Sequence, residues 1–301
     1  MTQSSNPHEI RRAWIAWFAI CLIWGTTYLA IKVALATIPP MLLGGFRYLC
    51  AAAIMLVWLK AQGRKLPAAS AWSTQAVLGF FMLGLGNGGV VTGEGYLSSG
   101  LTAVLVATSP FWMVGIDAFF PGGPKLRARQ LFGMIVGFLG IVMLVWPDLS
   151  VGGASGRNIL LGVIAVQVAC IGWSFASSYT KRHVTSGDVL GAATLQMLFG
   201  GVFLTLAGTV RGEWAHLSFT VPTASSLVYL VLLGSVVAFV AYSYALKHLP
   251  IAVVSLYTYV NPVIAVALGV VLLNEPFDVR QLAAAAVSAL GMVIVRPGKR
   301  V

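Results

Sequence analysis

Charge is what this sequence has least of. Only 9% of its 301 residues are Asp, Glu, Lys or Arg, while 58% are hydrophobic. A soluble domain carries about 25% charged residues. A chain this poor in charge cannot cover a water-facing surface and needs lipid as its solvent. Acidic residues are scarcest, 8 against 19 basic ones. In a soluble protein that excess would raise the question of nucleic acid. Here the basic residues sit in short segments between apolar runs, with no basic helix and no basic strip interleaved with aromatics, so no nucleic-acid partner is expected.

Reactive and metal-ligating residues are equally sparse. Cys21, Cys50 and Cys170 lie inside apolar runs without a CxxC spacing, as core-filling residues do. His8, His183, His216 and His248 match no zinc spacing. No metal, no cofactor and no catalytic residue is therefore expected. The alternative to a carrier, a membrane-embedded enzyme acting on lipid-like substrates, would need a nucleophile–base pair or ligand set near one interface. No histidine lies mid-span, and no Cys-His or Asp-Asp set is visible. A receptor or scaffold would want an extramembrane domain, for which no segment is available.

What the chain does have is apolar runs of bilayer length. A helix crossing about 30 Å of hydrocarbon needs about 20 residues. That window predicts ten spans, near 13–35, 40–60, 74–94, 99–118, 129–146, 158–180, 188–210, 224–246, 251–272 and 279–296. Prolines punctuate the joins: Pro39-Pro40, Pro67, Pro121, Pro124, Pro147, Pro222, Pro250 and Pro276. Arg11 and Arg12 before an apolar run mimic a signal peptide, but the run from Ala13 to Ile31 is too long for one and reads as an uncleaved first span. Ser150–Gly156, SVGGASG, reads as a linker between residues 1–149 and 158–301.

Basic residues set the orientation. With the N-terminus in the cytoplasm, fourteen of them fall inside, from Arg11 and Arg12 to Lys299 and Arg300. Only Lys32, Arg157, Arg211 and Arg280 fall outside, and Arg47 lies within the second span. Ten spans with both termini inside follow from that bias.

The two halves also resemble each other at an offset of about 150 residues. Ser109-Pro110 stands opposite Asn261-Pro262, RQLFGMIVGFLGIVMLVWP (129–147) opposite RQLAAAAVSALGMVIVRP (280–297), and Trp24…Lys32 opposite Trp173…Lys181. Five spans per half put the second copy into the membrane upside down. The expected fold is all-α and membrane-integral, two inverted five-helix repeats around a central cavity that opens to either side.

At IWGTTYLAIKVAL (23–35), GGFRYL (44–49), GLGNG (84–88) and YTYVNPVIAVALGVVLLNEP (257–276) the chain resembles the drug/metabolite transporter superfamily, EamA type, over nearly its whole length. The resemblance implies a ten-helix carrier of small metabolites in the bacterial inner membrane, working by export or exchange. It also contributes to the expectation that the first, third, fourth, sixth, eighth and ninth spans enclose the cavity. The first half departs from the pattern, with Gly122-Gly123-Pro124 where the second has Glu275. Expected partners are a small-molecule substrate, such as an amino acid or related compound, and the bilayer, with the protein a monomer or homodimer.

Candidate site residues follow from spacing and polarity. Trp24, Tyr28 and Lys32 share one helix face at i, i+4, i+8, and Trp173, Ser177 and Lys181 repeat the spacing. They read as cavity wall with a cation towards each mouth, against a plainer reading as packing residues with snorkelling lysines. Asn87, Ser109, Trp112, Tyr244, Tyr257 and Asn261 add hydroxyl, amide and indole groups. Pro110 and Pro262 free the carbonyls of Val106 and Thr258, for a hinge or for ligand binding. Arg47, deep in its span, needs a protein or water partner, and Glu94 near the end of the third span is the expected one. Asp117 should pair with a basic loop residue. With no acid or histidine at the midplane, transport is expected to run down the cargo's own gradient.

The topology is checked by single-cysteine labelling at positions 5, 155 and 299: impermeant maleimide should reach only position 155 from outside. An external label at either terminus would overturn the orientation.

Overall fold

The computed structural model describes residues 7–123, 125–150, 153–183, 188–249, 251–254, 256–275, 279–280 and isolated positions from 283 to 294. The elements described are helical. They are α1 (Pro7–Ala34), α2 (Pro40–Ala61), α3 (Ala69–Tyr96), α4 (Ser99–Phe119), α5 (Ala128–Ser150), α6 (Gly153–His183), α7 (Val189–Val210), α8 (Val221–Ala245) and α9 (Tyr257–Leu273). Seven of them, all but α5 and α9, are long and apolar enough to cross a membrane; those two hold shorter apolar helices, Ala128–Met143 and Val260–Leu273. The 28 residues of α1 reach about 42 Å, more than the hydrocarbon thickness. The chain is an all-α membrane protein. The tenth expected span, 279–296, lies mostly outside the described residues, as do Pro124, Pro250 and Pro276.

Helix ends follow local chemistry. Ser98 accepts the Leu101 N–H to start α4, and Asp188 accepts that of Leu190 to start α7. Thr220 and Thr223 form a reciprocal cap on α8. The glycine-rich stretch read as a linker is mostly helix: α5 runs to Ser150 and α6 begins at Gly153, whose φ of 66° suits glycine.

The packing repeats itself between the halves. α1 lies against α8 and α9, and α6 lies against α3 and α4. α2 packs on α7, and α4 meets α9. Exchanging α1 with α6, α2 with α7, α3 with α8 and α4 with α9 leaves this pattern unchanged. Irregularities repeat too. α3 widens to a π-helix at Gly79–Asn87, and α8 does so at Leu230–Val237. α4 is broken at Ala107 and Thr108, and a helical turn at Ile251–Val254 stands apart before α9.

Between lipid-exposed helices the hydrophobic effect gives little, so close van der Waals contact carries association. α3 meets α6 through Gly89 and Gly93. A Cβ on Gly89 would lie 2.6 Å from the Ala165 carbonyl oxygen, and one on Gly93 2.5 Å from Val166 Cγ2. Large apolar side chains such as Phe119, Leu131 and Trp146 point outward, where lipid receives them.

Gly89→Leu should therefore force α3 and α6 apart and lower stability by about 1–3 kcal/mol, the usual cost of overpacking. A thermal melt in detergent reads this; an unchanged transition would show that the contact does not carry the pairing.

Candidate functional site

The π-helical turn in α8 organises the centre of the bundle. It includes Gly234, whose carbonyl accepts from two other helices. Trp24 Nε1 donates to this oxygen at 3.1 Å, and Arg47 Nη2 donates to it at 3.2 Å. Arg47 Nε donates to Ser235 Oγ at 2.9 Å. Three helices, α1, α2 and α8, thus meet at one carbonyl. Arg47 is buried, and its hydrogen bonds go to α8. It forms no contact ion pair with Glu94 among the described residues, though the two lie near enough to interact electrostatically. Ser235 and the Gly234 carbonyl accept two of its donors, and the sequence carried no sign of a π turn there.

Around Trp24 the rings of Tyr257, Tyr242 and Phe239 stand at centroid distances of 4.8, 5.4 and 5.8 Å. Asn261 is buried and ties α9 to α1: its amide, oriented to suit its neighbours, donates to the carbonyls of Tyr257 at 3.0 Å and Cys21 at 3.2 Å. Trp24, Tyr257 and Asn261 are therefore gathered as expected. Tyr244 makes its ring contact with His248 and packs on the apolar cluster that Trp24 also meets. Tyr242 and Phe239 were not singled out in the sequence, although their i, i+3 spacing puts them on one face. Tyr28 is buried among Ala103, Ala265, Val90 and Val106.

In the other half the polar candidates are largely satisfied at home. Ser177 Oγ donates to the Trp173 carbonyl at 2.8 Å. Ser109 Oγ donates to the carbonyl of Val106 at 2.7 Å, the group that Pro110 frees, while the Ser109 carbonyl accepts from Ser174 Oγ at 3.2 Å. Trp112 Nε1 donates to Gln167 Oε1 at 2.8 Å. Asn87 closes the π-helix of α3, half-buried and without a side-chain hydrogen bond among the described residues. Trp173 packs its ring near Gly86. The Lys181 side chain lies outside the described residues.

At the end of the bundle where α1 gives way to α2, a cavity of about 530 Å³ is lined by Lys32, Pro40, Thr92, Glu94, Tyr96 and Arg211. Lys32 Nζ donates to the carbonyls of Glu94 and Leu97, both at 2.7 Å. Two glutamates from the second half cap helices of the first. Glu275 accepts the N–H of Ser99 at 2.9 Å, its hydroxyl at 3.0 Å and the N–H of Gly100 at 3.4 Å. Glu213 accepts the Leu42 N–H at 3.0 Å. A carboxylate at a helix N-terminus meets unpaired donors and the positive end of the dipole. Glu213 escaped the sequence reading because its helix end and its partner are 171 residues apart. At the opposite end Arg64 pairs with Asp188, and Asp117 with Arg182 at 2.7 Å, a basic residue in the last turn of α6 where a loop residue was expected.

These features define an all-helical, multi-pass membrane protein built from two similar halves that share a polar, aromatic interior. The EamA-like transporter family model matches residues 12–146 and again 160–296. The "uncharacterized inner membrane transporter YedA" of Escherichia coli (strain K12) is 34% identical over 94% of this chain and 90% of its own. The "uncharacterized transporter YvbV" of Bacillus subtilis (strain 168) is 24% identical over 88% of this chain and 85% of its own. A crystal structure of 20% sequence identity superposes with a TM-score of 0.61 over 94% of this chain and 96% of its own, which shows a shared fold. The chain belongs to the EamA-like transporter family. It is a multi-pass inner-membrane transporter.

The Gly234 node makes a checkable claim. In a double-mutant cycle, Arg47→Gln and Ser235→Ala should be coupled by about 0.5–3 kcal/mol, as hydrogen-bonded neighbours are. Additive effects in thermal melts would place the Arg47 guanidinium elsewhere.

Proposed function

We propose that this transporter moves small amphipathic metabolites, amino acids or related compounds among them, by alternating access of two inverted halves. The observation that carries the reading is the exchangeable packing pattern. α1 holds α8 and α9 as α6 holds α3 and α4. Two copies of one bundle in opposite orientation have two equivalent arrangements, and rocking between them opens the interior first to one side and then to the other. The basic-residue bias supports opposite orientation, since it places both termini in the cytoplasm. The cargo class follows from the interior. Three aromatic rings, Tyr257, Tyr242 and Phe239, cluster about Trp24, and Asn261 lies beside Tyr257. An apolar site with a few polar groups suits a small molecule with an apolar body and a polar head.

In this mechanism the Glu275 cap on α4 breaks and reforms as the halves rock. Cysteines at positions 99 and 275, cross-linked after reconstitution, should cut uptake of a radiolabelled amino-acid mixture into proteoliposomes at least about tenfold, since a locked mouth removes one of the two required states. Reductant should restore it. Equal uptake by locked and reduced protein would sink the rocking model.

A further inference from the structure

The carboxyl group of Glu94 takes part in none of the ties described above. It is fully buried, and neither of its oxygens has a hydrogen-bond partner among the described residues. It lies in the wall of the cavity at the α1–α2 end, which the charge bias places outside. Around it, near enough to act electrostatically, are Lys32 and Tyr28 from α1, Arg47 from α2, and Glu275 beyond α9. Lys32 spends two of its donors on main-chain carbonyls, one of them that of Glu94 itself, and leaves the carboxyl unbonded.

Four other described carboxyl groups at helix ends are committed. Glu275 and Glu213 accept main-chain N–H groups, and Asp117 and Asp188 hold arginines. Protonating any of these disrupts a bond the fold uses. Protonating or deprotonating Glu94 disrupts none. A buried acceptor without a donor carries a cost of about 1–3 kcal/mol, so the group is poorly explained as a stabilising element. Intramembrane ionisable residues mark ion and proton pathways by default.

We propose that Glu94 is a reversible proton-binding site that exchanges with water in this cavity and sets the cavity's charge. A hydronium ion transfers its proton to one carboxyl oxygen, an O–H bond forms, and water is left behind; release reverses the step, with no change of oxidation state. With Glu94 protonated, the charge of Lys32 leaves the cavity more positive, Arg211 being held by Glu213 at 3.8 Å. With Glu94 ionised, part of that charge is balanced. Proton occupancy therefore changes how an anionic group is received at this mouth. This consequence for cargo rests on the transport reading, whereas the proton site itself does not.

The test needs no cargo. Attenuated-total-reflection infrared spectra of the protein in lipid films, taken while the buffer is stepped from about pH 5 to about pH 9, follow the C=O stretch of protonated carboxyl groups. Wild type should show a band that falls as pH rises, lost completely in Glu94→Gln and kept in Glu275→Gln. Glu94→Asp should keep a titrating band at a shifted frequency, and it decides the case if Glu94→Gln fails to elute as folded protein. Identical difference spectra in wild type and Glu94→Gln would overturn the proposal. So would a Glu94-dependent band that does not change with pH, or an aspartate variant whose band is unshifted.

Discussion

One carbonyl oxygen, that of Gly234, joins the first, second and eighth helices of this protein. Within a bilayer no water is available to satisfy a main-chain group released from its helix. A π-helical turn shifts main-chain pairing from i+4 to i+5, and at Gly234 other helices add donors of their own. Trp24 and Arg47 bring them here. The same rule explains Val106 in α4, whose oxygen is freed by Pro110 and taken by Ser109. The polar residues that look like a binding site in the sequence are in large part the groups that make an irregular membrane helix possible.

This bears on how much was legible beforehand. Apolar runs gave the helices well, because length and hydropathy are nearly sufficient in lipid. The repeat showed in aligned Ser-Pro and Asn-Pro pairs, and the structure adds a π turn at corresponding places in α3 and α8. Trp24 was singled out by its i, i+4, i+8 run and Tyr257 and Asn261 as an i, i+4 pair, and the structure brings the three together. Charge complementarity pointed from Arg47 to Glu94, which acts on it at a distance, while its hydrogen bonds to a serine and a main-chain carbonyl were not legible. No sequence pattern announces a π turn. Glu213 and the Gly212 turn before it, at φ 70°, looked like ordinary loop. The extent of α6 was underestimated because glycine was read as a breaker where it only starts the helix.

The halves are alike in architecture and unlike in their fastenings. Both glutamate caps run from the second half to the first, and the first half has Gly122-Gly123-Pro124 where the second has Glu275. Two similar bundles therefore contribute unequally to the two ends of the molecule.

That inequality has an electrolyte signature. At one end the halves are joined by carboxylates seated on main-chain N–H groups, with Glu213 almost wholly covered. At the other they are joined by Arg64–Asp188 and Arg182–Asp117, pairs whose side chains remain 18–38% exposed. Dissolved ions screen exposed charge pairs over a Debye length of about 8 Å at physiological strength and reach covered ones far less. Ionic strength thus weakens the contacts at one end of the bundle more than those at the other.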